Sequence, residues 1–477
     1  MNNQWIYQHR RERFLKELGS SAAIIPAAQL VTHHADCEYP FRQNSDFWYL
    51  TGFDEPEAIA LFLPHRPEGE KYILFVLQKE TSAEIWNGFR WGVEGAIDHF
   101  HADIAYPLSD FPKKLGECLH GAENIVFRIG KHPKVEPLIL KVWSELLERS
   151  SRGDLVPLSL TAPSSFLHKL RLKKDSWEIE RLREAARISS NAHEIARHST
   201  RPGMNERQIQ AVLEKSFLDQ GGRGPAYGSI VAGGKNACIL HYSTNREKIP
   251  ENSLLLIDAA GEYGMYSSDV TRTFPVSGKF SSEQKDVYIE VLKAQNLGIE
   301  SVTTNNTMQD IHQATVRSIS ESLVSLGLVP MGVEETISMM HYFEYFMHGT
   351  GHWLGLDVHD AGSNEKNGEA RKLESGMVTT IEPGIYIRPN KPVIEFPLLE
   401  RDPVKIRDRR KEIGMEEATK LEQEEIKNAK TVKHEVPQNL LGIGVRIEDD
   451  IVCTNKEPIN LTEGVPKSVE EVEAICT

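Results

Sequence analysis

Asp258 closes the apolar run Leu254-Leu255-Leu256-Ile257. A carboxylate ending such a strand is expensive to bury unless a cation or a hydrogen-bond partner meets it. Asp269 follows eleven residues later, and Gly261 and Gly264 between them let the chain fold back, so that both acids lie on limbs of one hairpin. Glu382 stands between Ile381 and Pro383 in a second apolar segment. Glu448 follows Val445-Arg446-Ile447 in a third, where strand alternation puts Arg446 and Glu448 on one face and Ile447 on the other. Taken singly, each acid is what a solvated strand end or an ion pair supplies. Together they point to chemistry, because converging carboxylates raise one another's pKa unless divalent cations hold them ionised. His348, His352 and His359 lie in MHGTGHWLGLDVHD, whose glycines permit close backbone approach, and His241 in CILHY is a fourth candidate. One imidazole with four carboxylates is a hard, oxygen-rich donor set, better suited to manganese or a similar ion than to a thiolate zinc site.

Other chemistries lack their residues. The sequence holds no GxSxG elbow, no Walker A loop and no HExxH helix. HGTGHWLG fails as a dinucleotide loop, since Leu354 occupies the place of the third glycine.

The elements that must position these residues follow from the apolar pattern. Runs at Ala22 (AAIIPA), Phe47 (FWYLTGF), Ala58 (AIALFLP) and Tyr72 (YILFVL) alternate with polar helical stretches, an α/β signature. Thr161 to Ser165 is a Pro/Ser-rich boundary, and a long helix through Glu178 to Ala196, capped by Ser176, is expected to follow and to end before Arg201-Pro202-Gly203. The hairpin from Ser253 to Val276 and strands in MVTTIEPGIYI and IGVRIEDDIVCT make the second part mixed α/β with antiparallel pairing. Between the last two strands, Glu400 to Glu435 is so rich in charge that it reads as an exposed insertion, partly helical or disordered.

A chain of 477 residues is long enough for two domains. A net charge of -14 argues against nucleic acid as a partner, and no segment has the length of a membrane span or the form of a secretory signal. Five scattered cysteines without CxxC spacing fit a reducing compartment, so a cytoplasmic location is expected.

With these residues in view, the chain resembles aminopeptidase P, of the pita-bread metallopeptidases that also include prolidase, methionine aminopeptidase and creatinase. The segments that carry the resemblance are Asp258 with Asp269, HGTGHWLGLDVHD, TTIEPG and GVRIEDD, in that order, with FRQNSDFWYLTGF and AEIW nearer the start. It implies an amino-terminal α/β domain over residues 1–165 and a pita-bread α+β catalytic domain over 166–477, with the charged insertion at about 400–435. It implies that Asp258 binds one metal ion, that Asp269 and Glu448 bridge two, and that His352 and Glu382 bind the second; the pair of divalent ions is expected to be manganese. Glu382 would also move the proton, His241, His348 and His359 would hold substrate and support the oxyanion, and Arg446 would orient the carboxylates. Trp86 is similar to a tryptophan that reaches a neighbouring subunit in tetrameric members, so a homo-oligomer, dimer or tetramer, is expected. The implied reaction releases the first residue from peptides with proline in second place. An X-Pro bond has no amide N–H to grip, and activation of its carbonyl by a metal does not require one. Tyr386 and Trp353 are candidates for lining a proline pocket; core packing is the alternative for both and the expected outcome for Trp353. Two other functions remain open at this point: a prolidase limited to X-Pro dipeptides, and a non-catalytic peptide-binding scaffold of the same fold.

Overall fold

The computed structural model describes residues 4–150 and 153–474. Contacts divide the chain into two units between Arg171 and Leu172, a few residues beyond the Pro/Ser-rich stretch.

The first unit is built on a six-stranded sheet of Ala22–Pro26 (β1), Ile59–Phe62 (β2), Tyr72–Val76 (β3), Ile104–Pro107 (β4), Asn124–Val126 (β5) and Ser159–Thr161 (β6), in the order β4-β3-β2-β1-β5-β6. β1, β2 and β3 pair antiparallel and the remaining pairs are parallel. These three strands are buried along their whole length, which is why they read as unbroken apolar runs. The run from Phe47 departs from that pattern, since Ser45–Thr51 is a helix. Asn44 caps it by accepting the Phe47 N–H, and Gly52 ends it at φ 64°, where a Cβ would stand 2.5 Å from the Tyr7 ring. A cap and a left-handed stop within one short run outweigh the strand preference of its aromatic residues.

In the second unit the long helix α1 (Ser176–Ser199) stops before Arg201 as expected, but its cap is Asp175 and not Ser176. The Asp175 carboxylate accepts the Glu178 N–H at 2.9 Å while the Glu178 carboxylate accepts the Asp175 N–H at 3.1 Å, a reciprocal box that Ser176 is one residue too late to make. The strands Ile230–Gly233 (β7), Leu254–Asp258 (β8) and Thr271–Pro275 (β9) form an antiparallel sheet in which Asp258 faces Thr271, so the expected hairpin is present. Helices Ser282–Glu300 (α2) and Met308–Ser325 (α3) follow, and cap themselves with boxes at Ser281 and Thr307. The remaining strands are Val378–Ile381 (β10), Gly384–Tyr386 (β11), Val393–Pro397 (β12), Thr431–Glu435 (β13), Gly444–Arg446 (β14) and Asp449–Val452 (β15). β10 pairs with β15 and β11 with β14, so the two strand candidates of the sequence are each broken at the same level. Pro383, with no N–H to give to a ladder, sits in one break. One core joins Ile188 of α1, Ile257 of β8, Val291 of α2, Ile319 of α3 and Ile385, Val445 and Ile447.

The charged insertion is ordered as two helices, Pro403–Ile413 (α4) and Met415–Asn428 (α5), on a ribbon made by β12 and β13. Almost all of it is exposed; Ala418 and Glu422 are the buried residues of the two helices. Among the described residues no helix is long and apolar enough to cross a membrane. Cys37, Cys118, Cys238 and Cys453 are free thiols, and Cys476 lies outside the described residues.

Candidate metal centre

The four acids reach the centre from two breaks and a hairpin. Glu382 lies between β10 and β11, Glu448 lies between β14 and β15, and Asp258 and Asp269 flank the β8–β9 turn. The segment bearing the histidines runs beside β10: the Glu382 N–H donates to the Thr350 carbonyl at 2.7 Å and the Thr380 N–H to the His352 carbonyl at 2.9 Å. Gly351 makes that approach possible, since a Cβ there would fall 1.8 Å from the Thr380 carbonyl oxygen. The far end of the segment is pinned by a buried ion pair, Lys174 to Asp360 at 2.9 Å.

Asp269, His352 and Glu448 converge most tightly, each presenting one ligand atom within 4.8 Å of the others. His352 Nε2 lies 3.3 Å from Asp269 and 3.6 Å from Glu382, while its Nδ1–H donates to the Trp353 carbonyl at 3.1 Å, so that Nε2 is the atom facing the acids. Asp258 and Glu382 stand outside that trio. Asp258 is joined to Asp269 through the Tyr227 hydroxyl, 2.7 and 2.6 Å from the two carboxylates, and its other oxygen accepts from Arg446. Arg446 also donates to the Thr271 and Tyr386 hydroxyls, each at 3.1 Å, and Thr271 in turn donates to Glu448 at 2.6 Å. Arg446 and Glu448 therefore face one side, while Ile447 enters the core.

The histidines occupy different settings. Both ring nitrogens of His348 are engaged, with the Gly349 carbonyl and the Tyr386 hydroxyl, each at 2.8 Å. The His359 ring meets the His352 ring edge-on at 4.3 Å. His241 is exposed, yet near enough to act electrostatically on His348 and His359. Tyr386 and Trp353 are both buried; Trp353 packs in a cluster with Leu172, Ile311 and Ile381, and Tyr386 spends its hydroxyl on His348 and Arg446.

Electrostatics test whether these donors fit divalent cations. Burial pushes Asp258 up against the pull of Arg446, and burial together with Asp269, Glu382 and Asp258 drives Glu448 well above the carboxylate range. Burial likewise takes Glu382 to about 7. His352 moves the other way: burial lowers it, but Asp269 and Glu382 outweigh that and raise it to about 9. His348 is lowered to about 3 by burial and by Arg446, and His359 is lowered by burial and by His352. Asp449, next to Glu448, supplies the contrast. It is as buried, but Arg272 and Lys467 more than offset its burial and hold it at about 2. The four carboxylates around Glu448 are less well matched: Arg446 and His352 are the cationic groups that act on them. That is a donor set shaped for added positive charge, and it fits divalent metal ions.

Four participants were not among the sequence candidates. Tyr227, Thr271 and Asp450, whose carboxylate accepts the Asp269 N–H at 3.2 Å and the Ser268 hydroxyl at 2.6 Å, hold the ligands, and Arg272 braces Asp449 and the Glu448 carbonyl. Only Asp450 carried a signal, as the third of three consecutive acids in an apolar strand.

Residues 180–455 match the family model described as Metallopeptidase family M24, and residues 7–127 match that of the Aminopeptidase P, N-terminal domain. The chain is 35% identical to the Xaa-Pro aminopeptidase of Escherichia coli over 470 residues, covering 98% of this chain and 97% of that one. Among solved structures it is similar to the Pseudomonas aeruginosa aminopeptidase PepP, with a TM-score of 0.87, 37% identity and coverage of 100% and 99%. A zinc-substituted Escherichia coli aminopeptidase P in complex with product also has a TM-score of 0.87, at 35% identity, covering 99% of this chain and 98% of that one.

Proposed function

Because the chain belongs to metallopeptidase family M24, behind an aminopeptidase P amino-terminal domain, we propose that the acids around His352 hold two divalent metal ions, manganese by preference, in an Xaa-Pro aminopeptidase. The enzyme hydrolyses the bond between the first residue of a peptide and a proline in second place. One observation carries the metal assignment: Asp269, His352 and Glu448 meet within 4.8 Å, with Asp258 and Glu382 beside them. In this reading Asp258, Asp269, His352, Glu382 and Glu448 would together hold the two ions. Bound there, such ions supply a water acidic enough to attack at neutral pH and polarise the scissile carbonyl.

The chain's own residues do the rest. Glu382, beside His352, takes a proton on a carboxylate oxygen and returns it to the leaving proline nitrogen, a role commonly worth about 100- to 10,000-fold. His359 faces the developing oxyanion with a neutral ring. His348, locked to Tyr386, assists it and braces Arg446, which fixes the Asp258 carboxylate. His241, exposed beside these rings, contacts substrate. The amino-terminal domain expected over 1–165, a cytoplasmic location and assembly as a dimer or tetramer complete the reading.

The test uses purified protein, an X-Pro-X tripeptide and an X-Pro dipeptide, with chelator and with added manganese. Release of the first residue from the tripeptide, lost with chelator and restored by manganese, is the expected outcome. Cleavage of the dipeptide alone would replace this reading with a prolidase.

A further inference from the structure

The insertion is tied to both sides of the metal centre. It leaves β11, whose Tyr386 holds His348, and rejoins at β14, which carries Arg446. Its root is docked firmly: Ile394 and Phe396 are buried in the core, His434 donates to the Gly327 carbonyl, His341 donates to the Pro397 carbonyl, and the Arg401 N–H donates to the Ser338 carbonyl. Those docking points precede His348 in the chain. At its far end α4 reaches the residues that follow His359, with Lys411 at 2.7 Å and Arg407 at 3.5 Å from Glu365. The insertion is thus fastened on both flanks of the segment carrying His348, His352 and His359, and it is continuous with the strands carrying Tyr386 and Arg446. The insertion therefore joins the elements that carry both sets of residues.

The two fastenings differ in kind. Buried side chains hold the root. The Glu365 side chain is 36% exposed and those of Arg407 and Lys411 are 47% and 56% exposed, so the far end rests on ion pairs that water weakens and salt screens. α4 and α5 are themselves joined by Arg409–Glu425 and Arg410–Glu422 with little apolar burial between them.

We propose that this insertion limits the length of peptide the site accepts: closed onto Glu365, it obstructs chains that continue well beyond the proline and leaves short X-Pro peptides unhindered. The proposal rests on the Xaa-Pro aminopeptidase reading and adds a substrate preference to it.

The root allows a clean test, because the Leu398 N–H already donates to the Lys430 carbonyl at 2.7 Å. Residues 399–429 can be replaced by a short glycine-containing turn that leaves the β12–β13 ribbon in place. kcat/KM is measured, on metal-loaded parent and trimmed protein, for an X-Pro-X tripeptide and for a decapeptide beginning with the same three residues. The parent is expected to favour the tripeptide by about tenfold or more, and the trimmed protein to bring that ratio below about threefold without losing tripeptide activity. Glu365→Arg, which keeps both helices, should shift the ratio the same way and abolish its response to about 0.5 M salt. A trimmed protein that keeps the parent ratio overturns the proposal; if trimming prevents folding, an unchanged ratio in Glu365→Arg overturns it. A parent that cleaves neither peptide overturns the aminopeptidase reading instead.

Discussion

Glu448 in the break before β15 and Asp449 at the start of that strand are both removed from water, yet the second is held at about 2 while the first is driven far up. The difference lies in what each faces. Asp449 meets Arg272, Lys467, Gln295 and Thr462, whereas Glu448 meets three other carboxylates. If the second arrangement exists to hold cations, removing one acid must release them. Asp269→Asn should lose bound metal and activity together, while His359→Ala should keep its metal and lose about 100- to 1,000-fold in kcat. Elemental analysis beside peptide assays separates these outcomes. Thr271→Val removes a hydroxyl that accepts from Arg446 and donates to Glu448, leaving two buried groups short of a partner. Urea unfolding should find the variant about 1–3 kcal/mol less stable. The candidate acids and histidines were legible because carboxylates are rare in apolar strands. Tyr227 was not, since a loop tyrosine gives no sign of touching two acids until the fold brings them to it.

At the scale of elements, two broken strands and one glycine-rich segment do most of the positioning. Gly351→Ala places a methyl group where the Thr380 carbonyl already stands, so the segment must move and take His352 with it. Metal affinity, read by competition with a chelator, should fall along with turnover. Helix α1 carries a second prediction. His193 is 4% exposed, donates to the Ala259 carbonyl at 2.8 Å, and is held at about 4, chiefly by burial. Its folded value lies below the unfolded 6.5, so the unfolded chain binds the proton first. Stability from this group is complete above about pH 6.5 and drains away as the pH falls toward 4, by about 3 kcal/mol in all. His193→Gln should flatten that acid slope in unfolding curves taken between pH 7.5 and 4. Strand identity was readable from the apolar runs, but the break at Glu382-Pro383 was not, because only pairing with β14 and β15 shows where one ladder stops and the next begins. The helix at Ser45 is hard to see in the sequence for a related reason: its cap and its stop are single residues, weaker in a sequence than a run of aromatics.

At the scale of the whole molecule, each unit has its own hydrophobic cluster, and the candidate ligands all belong to the second. Calorimetry should therefore show that manganese raises the transition of the Leu172–Thr477 unit, by about 2.7 kcal/mol at a hundred times the dissociation constant, and leaves the other where it was. The two-part α/β and α+β architecture and the order of the motifs could be read from the amino acids. Burial periodicity and residue chemistry are local properties, and they survive in a linear string. The insertion's form was less legible, because charged helices held by ion pairs and a shallow ribbon leave no apolar stripe. What only the tertiary structure decided was proximity: that Glu382 and Glu448 fall at matched breaks, that one tyrosine hydroxyl spans Asp258 and Asp269, and that Asp449 escapes the cluster its neighbour joins. Those facts depend on distances between residues far apart in the chain, and spacing along a chain does not contain them.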